Sequence, residues 1–398
     1  METRKRVLVL TSTFPRWQGD RTPPFVFELS KRLARKFDVL VLAPHAPGAK
    51  YEEDMDGIRV IRFRYFVPRW QSLAYNGGIL ENLREKKWRY IFIPFFFLSQ
   101  IAALFSILRK ERIDAIHAHW SVPQGLVALT SRIMPSKPAI VCTCHGGDLF
   151  GLRGKIMSRV NGYVIRNADR VTVVSSAMRN YAAELAQRND IDVISMGVDV
   201  ANVFTPDHTI ERNPDELLFV GRLAEKKGLR FLVLAMRNIL REFPGATLKV
   251  IGSGPEEQLL RELAAKTGVS ASIHFMGAIE NIKLPEFYRR AGIFVMPSVI
   301  AASGDQEGLG LVLVEALGCE CPVVTTDLPA LQDVVIGGVT GLVSRQQDSH
   351  DLAKKIISLL GSSDARKRLG IAGRQHVVKH FDWRNVTDRY MAVIDGTP

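Results

Sequence analysis

The stretch IFVMPSVIAASGDQEGLGLVLVEALG, residues 293–318, joins an apolar run, a loop with glycines and acidic residues, and a second apolar run that carries a carboxylate. The first run predicts a buried strand over Ile293–Met296, and the second predicts a helix over Leu311–Leu317. A continuous apolar strand followed by a helix is typical of a parallel sheet covered on both faces. The stretch therefore favours an α/β fold.

The same alternation of apolar runs and helical patterns occupies the whole chain. The predicted strands of the first half are Val7–Leu10, Val39–Leu42, Val60–Arg62, Ala115–His117, Ile140–Thr143, Val171–Val174 and Val193–Ile194. Those of the second half are Leu217–Val220, Leu248–Ile251, Ile273–Phe275, Ile293–Met296, Val323–Thr325 and Leu342–Val343. We predict two Rossmann-like, doubly wound α/β domains that face a cleft between them, with ligands at the carboxyl ends of the strands.

The length of 398 residues also exceeds what one hydrophobic core usually organises. Residues 197–216 are polar and contain two prolines, which predicts the linker there. The first domain is predicted over 1–198, and the second starts at 199.

The charge is unevenly distributed. Residues 1–200 carry 30 lysines and arginines against 18 aspartates and glutamates, so they hold the whole net charge of +12. Such an excess favours an anionic partner, which is a phosphorylated lipid or a membrane surface rather than nucleic acid. A merely solubilising surface charge is the alternative.

The N-terminus and the cysteines indicate a cytoplasmic protein. The apolar run at Arg6–Leu10 is too short for a secretory signal and predicts a first buried strand. The four cysteines form two close pairs, Cys142/Cys144 and Cys319/Cys321, beside apolar strands. There they are expected to be small buried hydrophobes, with a zinc site of two C-x-C pairs as a minor alternative.

The segment Tyr90–Leu108 is uncharged and has basic residues on both sides. Its length approaches that of a membrane-spanning helix. A span would place the strands before and after it on opposite sides of a bilayer, which argues against spanning. A wholly buried helix and a helix that dips apolar side chains into a membrane interface remain open.

Two cations follow the first predicted strand of the second half, in FVGRLAEKKGL at 219–229. Arg222 and Lys227 lie in the loop at the carboxyl end of that strand. Two fixed cations there can hold a diphosphate and neutralise its departing charge, a task that other enzymes give to Mg²⁺. Solvated surface charges are the alternative.

The segment 307–315 predicts an anion site between two carboxylates. Backbone N–H groups at the predicted helix N-terminus can bind an anion. They belong to Gly308, Leu309, Gly310 and Leu311. Glu315 lies four residues after Leu311, on the same helix face, and Glu307 lies on the other side of the anion site. A diphosphate with a ribose at one end and a sugar at the other fits this arrangement.

Three further features follow predicted strands. His145 ends a strand and faces the proposed cleft, although a structural histidine is the alternative. Gly19 lies in a polar turn, where it either lets the backbone approach a ligand or simply turns the chain. The GSGP segment at 252–255 lacks the third glycine of a dinucleotide-binding fingerprint, which disfavours an NAD enzyme.

Taken together, these residues resemble glycosyltransferase family four, whose members are retaining, nucleotide-sugar-dependent enzymes of the GT-B fold. The resemblance rests on Arg222 with Lys227, GSGP, MPS at 296–298, and Glu307 with Glu315 eight positions later. It extends to IHAHW at 116–120. It covers nearly the whole chain, and it implies a second domain over 199–376 and a final helix over 377–398 that crosses back to the first domain.

The resemblance also implies roles for individual residues. Arg222 and Lys227 would bind the donor diphosphate without a metal or other cofactor, Glu307 would hold hydroxyls of the donor sugar, and Glu315 would hold the ribose. The backbone that helps bind the phosphates would be that of Gly308, Leu309, Gly310, Leu311 and Val312.

In the first domain, the resemblance places His145 against the transferred sugar and Gly19 near the phosphate. The catalytic set would be His145, Arg222, Lys227 and Glu307. The chain departs from the family at 326–335, where many relatives carry two glycines and a glutamate and this chain has Asp333 without the glycines. Contacts to the base or ribose near that loop stay open.

The expected activity is transfer of a sugar from a UDP- or GDP-sugar to a saccharide or polyprenyl-linked acceptor in cell-surface polysaccharide or lipopolysaccharide synthesis. The expected location is the cytoplasm, with peripheral attachment to the inner face of the plasma membrane. Two alternatives remain open: a nucleotide-sugar epimerase of the same architecture, and a non-catalytic nucleotide-sugar-binding protein.

Overall fold

A computed structural model describes residues 4–397 apart from 21, 23, 76 and 153. The chain forms two compact units, Met1–Met196 with Val386–Pro398, and Gly197–Asn385. These are the first and second domains below. The chain leaves the first domain after Met196 and returns to it at Val386.

The first domain is built on an eight-stranded sheet in the order β3-β4-β2-β1-β5-β6-β7-β8. Its strands are β1 Arg6–Leu10, β2 Asp38–Pro44, β3 Glu52–Met55, β4 Ile58–Phe63, β5 Ala115–His119, β6 Ala139–Cys144, β7 Arg170–Val173 and β8 Ile191–Val193. Its helices are α1 Phe25–Leu33, α2 Ile79–Glu85, α3 Phe92–Lys110, α4 Leu126–Leu129, α5 Lys155–Asn167 and α6 Ser176–Ala186. Neighbouring strands are parallel except for β3 and β4.

The second domain has a parallel six-stranded sheet in the order β11-β10-β9-β12-β13-β14. Its strands are β9 Asn213–Val220, β10 Thr247–Ile251, β11 Ile273–Gly277, β12 Ala291–Met296, β13 Val323–Thr326 and β14 Leu342–Ser344. Its helices are α7 Leu229–Glu242, α8 Glu257–Lys266, α9 Leu284–Arg290, α10 Leu311–Gly318, α11 Ser349–Leu360 and α12 Ser363–Phe381. The last helix, α13 Trp383–Asp395, begins in this domain and continues into the first.

The strand order explains where ligand-facing loops should lie. In each sheet the order reverses between two adjacent central strands, β1 and β5 in the first and β9 and β12 in the second. The loops that leave such strands diverge to opposite faces of the sheet and open a crevice at their carboxyl ends. In the second domain these two loops carry the predicted Arg222, Lys227 and Glu307.

The predicted α/β architecture is confirmed, with two local differences. Strand β3 was missed because its sequence, EEDM, is too polar to read as a strand, and it pairs only as the antiparallel edge of β4. Strand β9 begins at Asn213, so the last four residues of the predicted linker belong to the sheet. The cysteines are all buried and unoxidised, as expected for small hydrophobes.

Of the two alternatives left open for residues 90–108, the wholly buried helix is wrong. Helix α3 buries one stripe, at Phe92, Phe96, Gln100, Leu104, Ile107 and Leu108. Around it Tyr90, Ile91, Phe95 and Leu98 are 44–65% exposed. Residues 87–110 are long and apolar enough to cross a membrane by length and composition. A crossing is nevertheless excluded, because β1 and β5, which precede and follow the helix, pair directly in one sheet.

Candidate active site

The loop after β9 places Lys227 by packing tightly on the loop after β12. A short 3₁₀ turn at Glu225–Lys227 ends at Gly228, whose φ is 64°. A Cβ on Gly228 would lie 1.9 Å from the carbonyl oxygen of Pro297. Only glycine fits this conformation and this approach. The backbone N–H of Val299 donates to the carbonyl of Lys226 at 2.9 Å, which joins the two loops.

Lys227 and Glu307 form a mostly buried ion pair. The Nζ of Lys227 lies 3.0 Å from Oε1 of Glu307, and the two side chains are 14% and 12% exposed. Burial opposes ionisation of Glu307, but the positive charges of Lys227 and Lys226 outweigh it and lower the pKa of the carboxyl. Glu307 is therefore ionised at neutral pH. A second pair, Lys226 with Asp305 at 3.3 Å, lies beside the first.

Glu315 lies on α10, the helix that begins after Gly310. The hydroxyl of Tyr288, on α9, donates to Oε2 of Glu315 at 2.9 Å. Burial of the carboxyl raises its pKa to about 7, although Tyr288, Asn281 and the charge of Lys227 all favour ionisation. Lys227 thus acts electrostatically on both predicted carboxylates.

The predicted anion site coincides with the start of α10. Gly310 is the residue before the helix, and Leu311 and Val312 are in its first turn. The N–H groups of a first helical turn have no partners within the helix. Only Gly308 and Leu309 lie between Glu307 and Gly310, the residue that precedes the helix. The structure therefore places Lys227 against Glu307, and Glu307 lies four residues before the first residue of α10.

The glycines of GSGP have a packing role in the same domain. A Cβ on Gly252 would lie 1.9 Å from the carbonyl oxygen of Gly221. The N–H of Leu223 donates to the carbonyl of Ser253 at 3.0 Å. The turn after β10 thus supports the loop that carries Arg222, and Arg222 itself is exposed at the surface of that loop.

In the first domain, His145 belongs to a group of stacked and hydrogen-bonded rings. Its Nε2 lies 2.9 Å from Nδ1 of His119. The rings of Trp120 and Phe25 lie 4.6 and 5.3 Å from the His145 ring, between centroids. The buried Asp148 fixes the backbone by accepting from the N–H of His145 at 3.1 Å.

These histidines are neutral at physiological pH. Burial lowers the pKa of His145 to about 3, and the neighbouring His117 adds to the effect. The pKa of His119 is also lowered, chiefly by burial. A neutral His145 can donate or accept a hydrogen bond, but it cannot act as a general acid at pH 7 because the imidazolium form is not populated.

Gly19 has a φ of 80° in a turn at the carboxyl end of β1. That turn is held by Asp20, which binds Arg16 through two contacts of 2.9 and 2.7 Å. A Cβ on Gly19 would meet no described atom within 4 Å, so no described residue fills the space beside it. Turn formation explains the glycine, and the open space is compatible with a ligand.

Several contributors escaped prediction from the sequence. Tyr288 and Asp305 act through partners that are 27 and 79 residues away along the chain, and Asp148 acts through backbone groups two and three residues away. Of these, only Asp148 had a local signal, a carboxylate directly after a strand and a Gly-Gly turn. Within the described residues, no group of three or more His, Cys, Asp or Glu side chains is arranged to hold a metal ion.

Known families match both domains. Residues 24–202 match the family described as Glycosyltransferase Family 4, and residues 202–376 match Glycosyl transferases group 1. The chain belongs to this family of glycosyltransferases, and its fold is GT-B.

Individual relatives agree with this assignment. The chain is 31% identical over 285 residues to a glycogen synthase of Mycobacterium tuberculosis, covering 70% of this chain and 67% of that one. It is 27% identical to a GDP-mannose-dependent alpha-(1-6)-phosphatidylinositol monomannoside mannosyltransferase of the same species, covering 98% of both. The structure of Anabaena HepE in complex with UDP and glucose superimposes with a TM-score of 0.75 at 17% identity, covering 98% of this chain and 99% of that chain.

Proposed function

We propose that this glycosyltransferase is a retaining, metal-independent enzyme that moves a hexose from a UDP- or GDP-sugar to a lipid-linked saccharide in cell-surface polysaccharide or lipopolysaccharide synthesis. The observation that carries the donor half is the Lys227–Glu307 pair beside the N-terminus of α10. A cation, an ionised carboxylate and a set of N–H donors at one strand switch point match a diphosphate flanked by hydroxyls.

The charges suit departure of a nucleoside diphosphate. Cleavage of the sugar–phosphate bond builds negative charge on the leaving oxygen, which Lys227, Arg222 and the helix N-terminus stabilise. Glu307 accepts hydrogen bonds from donor-sugar hydroxyls while it keeps Lys227 oriented. Glu315 accepts from the ribose. Cations held in this way replace the metal that other transferases use, so we propose that no cofactor is needed.

We propose same-face attack by the acceptor, with the leaving phosphate taking the acceptor's proton. The neutral state of His145 supports this route, because the side chain can position a sugar hydroxyl without competing as an acid. Gly19 leaves room for the diphosphate at the carboxyl end of β1. The route needs no carboxylate nucleophile of the kind that retaining hydrolases use.

The lipid-linked acceptor is supported by two properties of the first half of the chain. It holds the whole basic excess, and α3 exposes apolar side chains beside basic flanks. A relative named for a phosphatidylinositol mannoside substrate supports the same class of acceptor. We propose that the enzyme works in the cytoplasm, attached peripherally to the inner face of the plasma membrane.

Thermal-shift screening of UDP- and GDP-sugars tests the donor, because a ligand that binds only the folded state raises Tm. Mass analysis of products then separates the alternatives. Transfer to an acceptor supports the proposal, isomerised donor alone would indicate an epimerase, and binding without turnover would indicate a non-catalytic protein.

A further inference from the structure

The first domain contains a cavity that none of the predicted site residues lines. Its volume is about 510 Å³, and it lies beside the Gly19 turn. The cavity is lined by Arg16 from that turn, by residues 46–47, by five residues of the segment 69–75, and by Asn82, Glu85 and Arg89 from α2 and the turn after it. A cavity of this size accommodates a small polar headgroup.

Three guanidinium groups line this cavity, and they differ in their partners. Arg16 is paired with Asp20 at 2.7 Å, and Arg89 with Glu85 at 2.8 Å. Arg69 is exposed and makes no hydrogen bond or ion pair with any residue that the structure describes. The cavity therefore carries at least one positive charge that no described residue pairs with.

The walls of the cavity also contain polar atoms without partners. Gln71 is 5% exposed, and its Oε1 has no hydrogen-bond partner among the described residues. The Oγ of Ser72 and the Nε of Arg89 are buried and equally unsatisfied within this part of the chain. Because these three atoms are fully buried, they do not themselves contact an occupant of the cavity. Buried water is the usual partner of such atoms. The contacts to a ligand would be made by the exposed groups of the wall, above all Arg69.

An aromatic cluster lies next to the cations, on the segment around residue 70, the turn after α2 and the start of α3. We define the cluster as Phe66, Trp70, Trp88, Phe92 and Phe95. Ring centroids within it lie 4.9–6.1 Å apart. All but Phe92 are exposed, with Trp88 at 50% and Trp70 at 46%. Because Trp70 follows Arg69 and Trp88 precedes Arg89, the apolar surface adjoins the cationic cavity.

We propose that this cavity binds the phosphate of the acceptor, and that the acceptor's hydrocarbon chain lies on the aromatic cluster. The inference rests on the proposed function in taking this ligand as the acceptor. The planar donors of arginine match phosphate oxygens, and exposed rings bury an alkyl or prenyl chain. We therefore expect the site to bind an amphiphilic phosphate ester in preference to a free anion or a neutral lipid.

Three probes separate these ligand classes. Farnesyl phosphate carries both groups, farnesol lacks the phosphate, and inorganic phosphate lacks the chain. Binding to the intact protein is measured by calorimetry and checked by the change in total tryptophan fluorescence, to which Trp70 and Trp88 contribute. We expect farnesyl phosphate to bind at least roughly tenfold more tightly than either partial probe, since loss of a charged hydrogen bond or of a buried chain costs about that much.

Two pairs of variants assign the contacts. Arg69→Ala should weaken farnesyl phosphate about tenfold, whereas Arg35→Ala, an exposed arginine at the end of α1, should not. Trp88→Ala should weaken farnesyl phosphate but not inorganic phosphate, read by calorimetry. Tyr163→Ala removes a ring of similar exposure on α5 and should have no effect.

The outcomes are decisive. Equal affinity for inorganic and farnesyl phosphate, equal affinity for farnesol, or no binding of any probe would overturn the proposal. So would equal effects of Arg69→Ala and Arg35→Ala. Thermal shifts with UDP and GDP are measured on the same proteins. Loss of every nucleotide response with farnesyl phosphate binding intact would defeat the proposed donor chemistry and leave this site standing.

Discussion

The two domains differ in the charges they carry at and after the carboxyl ends of their strands. In the second domain, Lys227 and Lys226 are each matched by a carboxylate, and the loops that carry them are fixed by backbone contacts. In the first domain, His145 and His119 are neutral, and the cavity lined by Arg16, Arg69 and Arg89 contains one arginine that no described residue pairs with. The second domain is suited to a diphosphate that exchanges with existing ion pairs. The first is suited to uncharged sugar hydroxyls and to an incoming phosphate.

Among the variants that test this difference between the domains, we expect removal of Lys227 to reduce activity the most. We expect Lys227→Ala to lower kcat/KM by about 10³-fold, because the leaving diphosphate loses its buried cation. Steady-state kinetics with the best donor measure the effect, and Lys266→Ala on the exposed face of α8 is the control. Normal turnover in Lys227→Ala would refute the donor assignment.

The same variant leaves Glu307 buried without its partner, which can also destabilise the fold. The double variant Lys227→Met with Glu307→Gln removes both charges. We expect it to recover the free energy of unfolding while it stays inactive. Recovery of activity would place the chemistry elsewhere.

Loss of His145 should separate the roles of the two domains. We expect His145→Ala to reduce kcat about 10²-fold through lost sugar positioning, while the affinity for free UDP or GDP stays unchanged. His274→Ala, an exposed histidine on β11, serves as the control. Because His145 is neutral, the ratio of mutant to native rates should be constant from pH 6 to pH 8. A ratio that varies across that range would contradict the neutral role.

The loop-to-loop contact of the second domain is tested by stability. Gly228→Ala should cost about 3 kcal/mol, since the new Cβ would collide with the carbonyl of Pro297 and the backbone has a positive φ. Gly268→Ala has a similar φ but open space around it, so it should cost about 1 kcal/mol. Urea unfolding measures both, and equal costs would show that the contact is unimportant.

The smallest expected effect is a pH dependence of donor binding through Glu315. Burial raises the pKa of Glu315 from 4.5 to about 7. The folded state therefore favours the protonated carboxyl. Its contribution to the free energy of folding is complete below pH 4.5 and is lost as the pH rises through 7. Ribose hydroxyls donate more strongly to the ionised carboxylate than to the neutral carboxyl. Affinity for the nucleotide sugar should therefore rise roughly tenfold from pH 6 to pH 8.

A nucleotide sugar has no phosphate ionisation in that pH range, so the change reports the protein. Glu315→Gln should flatten the profile measured by calorimetry. Tyr288→Phe removes the hydrogen bond that favours ionisation and should shift the profile to higher pH. An unchanged slope in Glu315→Gln would assign the dependence to another group.

Most of the sheet was predictable, because buried parallel strands are local apolar runs that need no knowledge of their neighbours. Ile293–Met296 and Leu248–Ile251 were found in this way, whereas the charged β3 was not. Strand topology predicted that Lys227 and Glu307 lie at the same edge of the second sheet, but their direct ion pair was not predicted. The partner of Glu315 did not, since Tyr288 lies on a different helix and carries no pattern of its own.

The sequence by itself determined the alternation of strands and helices, the basic first half, and the set of charged residues after β9 and β12. These are properties of local composition and of spacing along the chain. The tertiary structure alone decided which of these charges are paired, which face of α3 is exposed, and that Arg16, Arg69 and Arg89 line one cavity. Such facts depend on contacts between residues distant in sequence, and burial changes both the cost of a charge and its pKa.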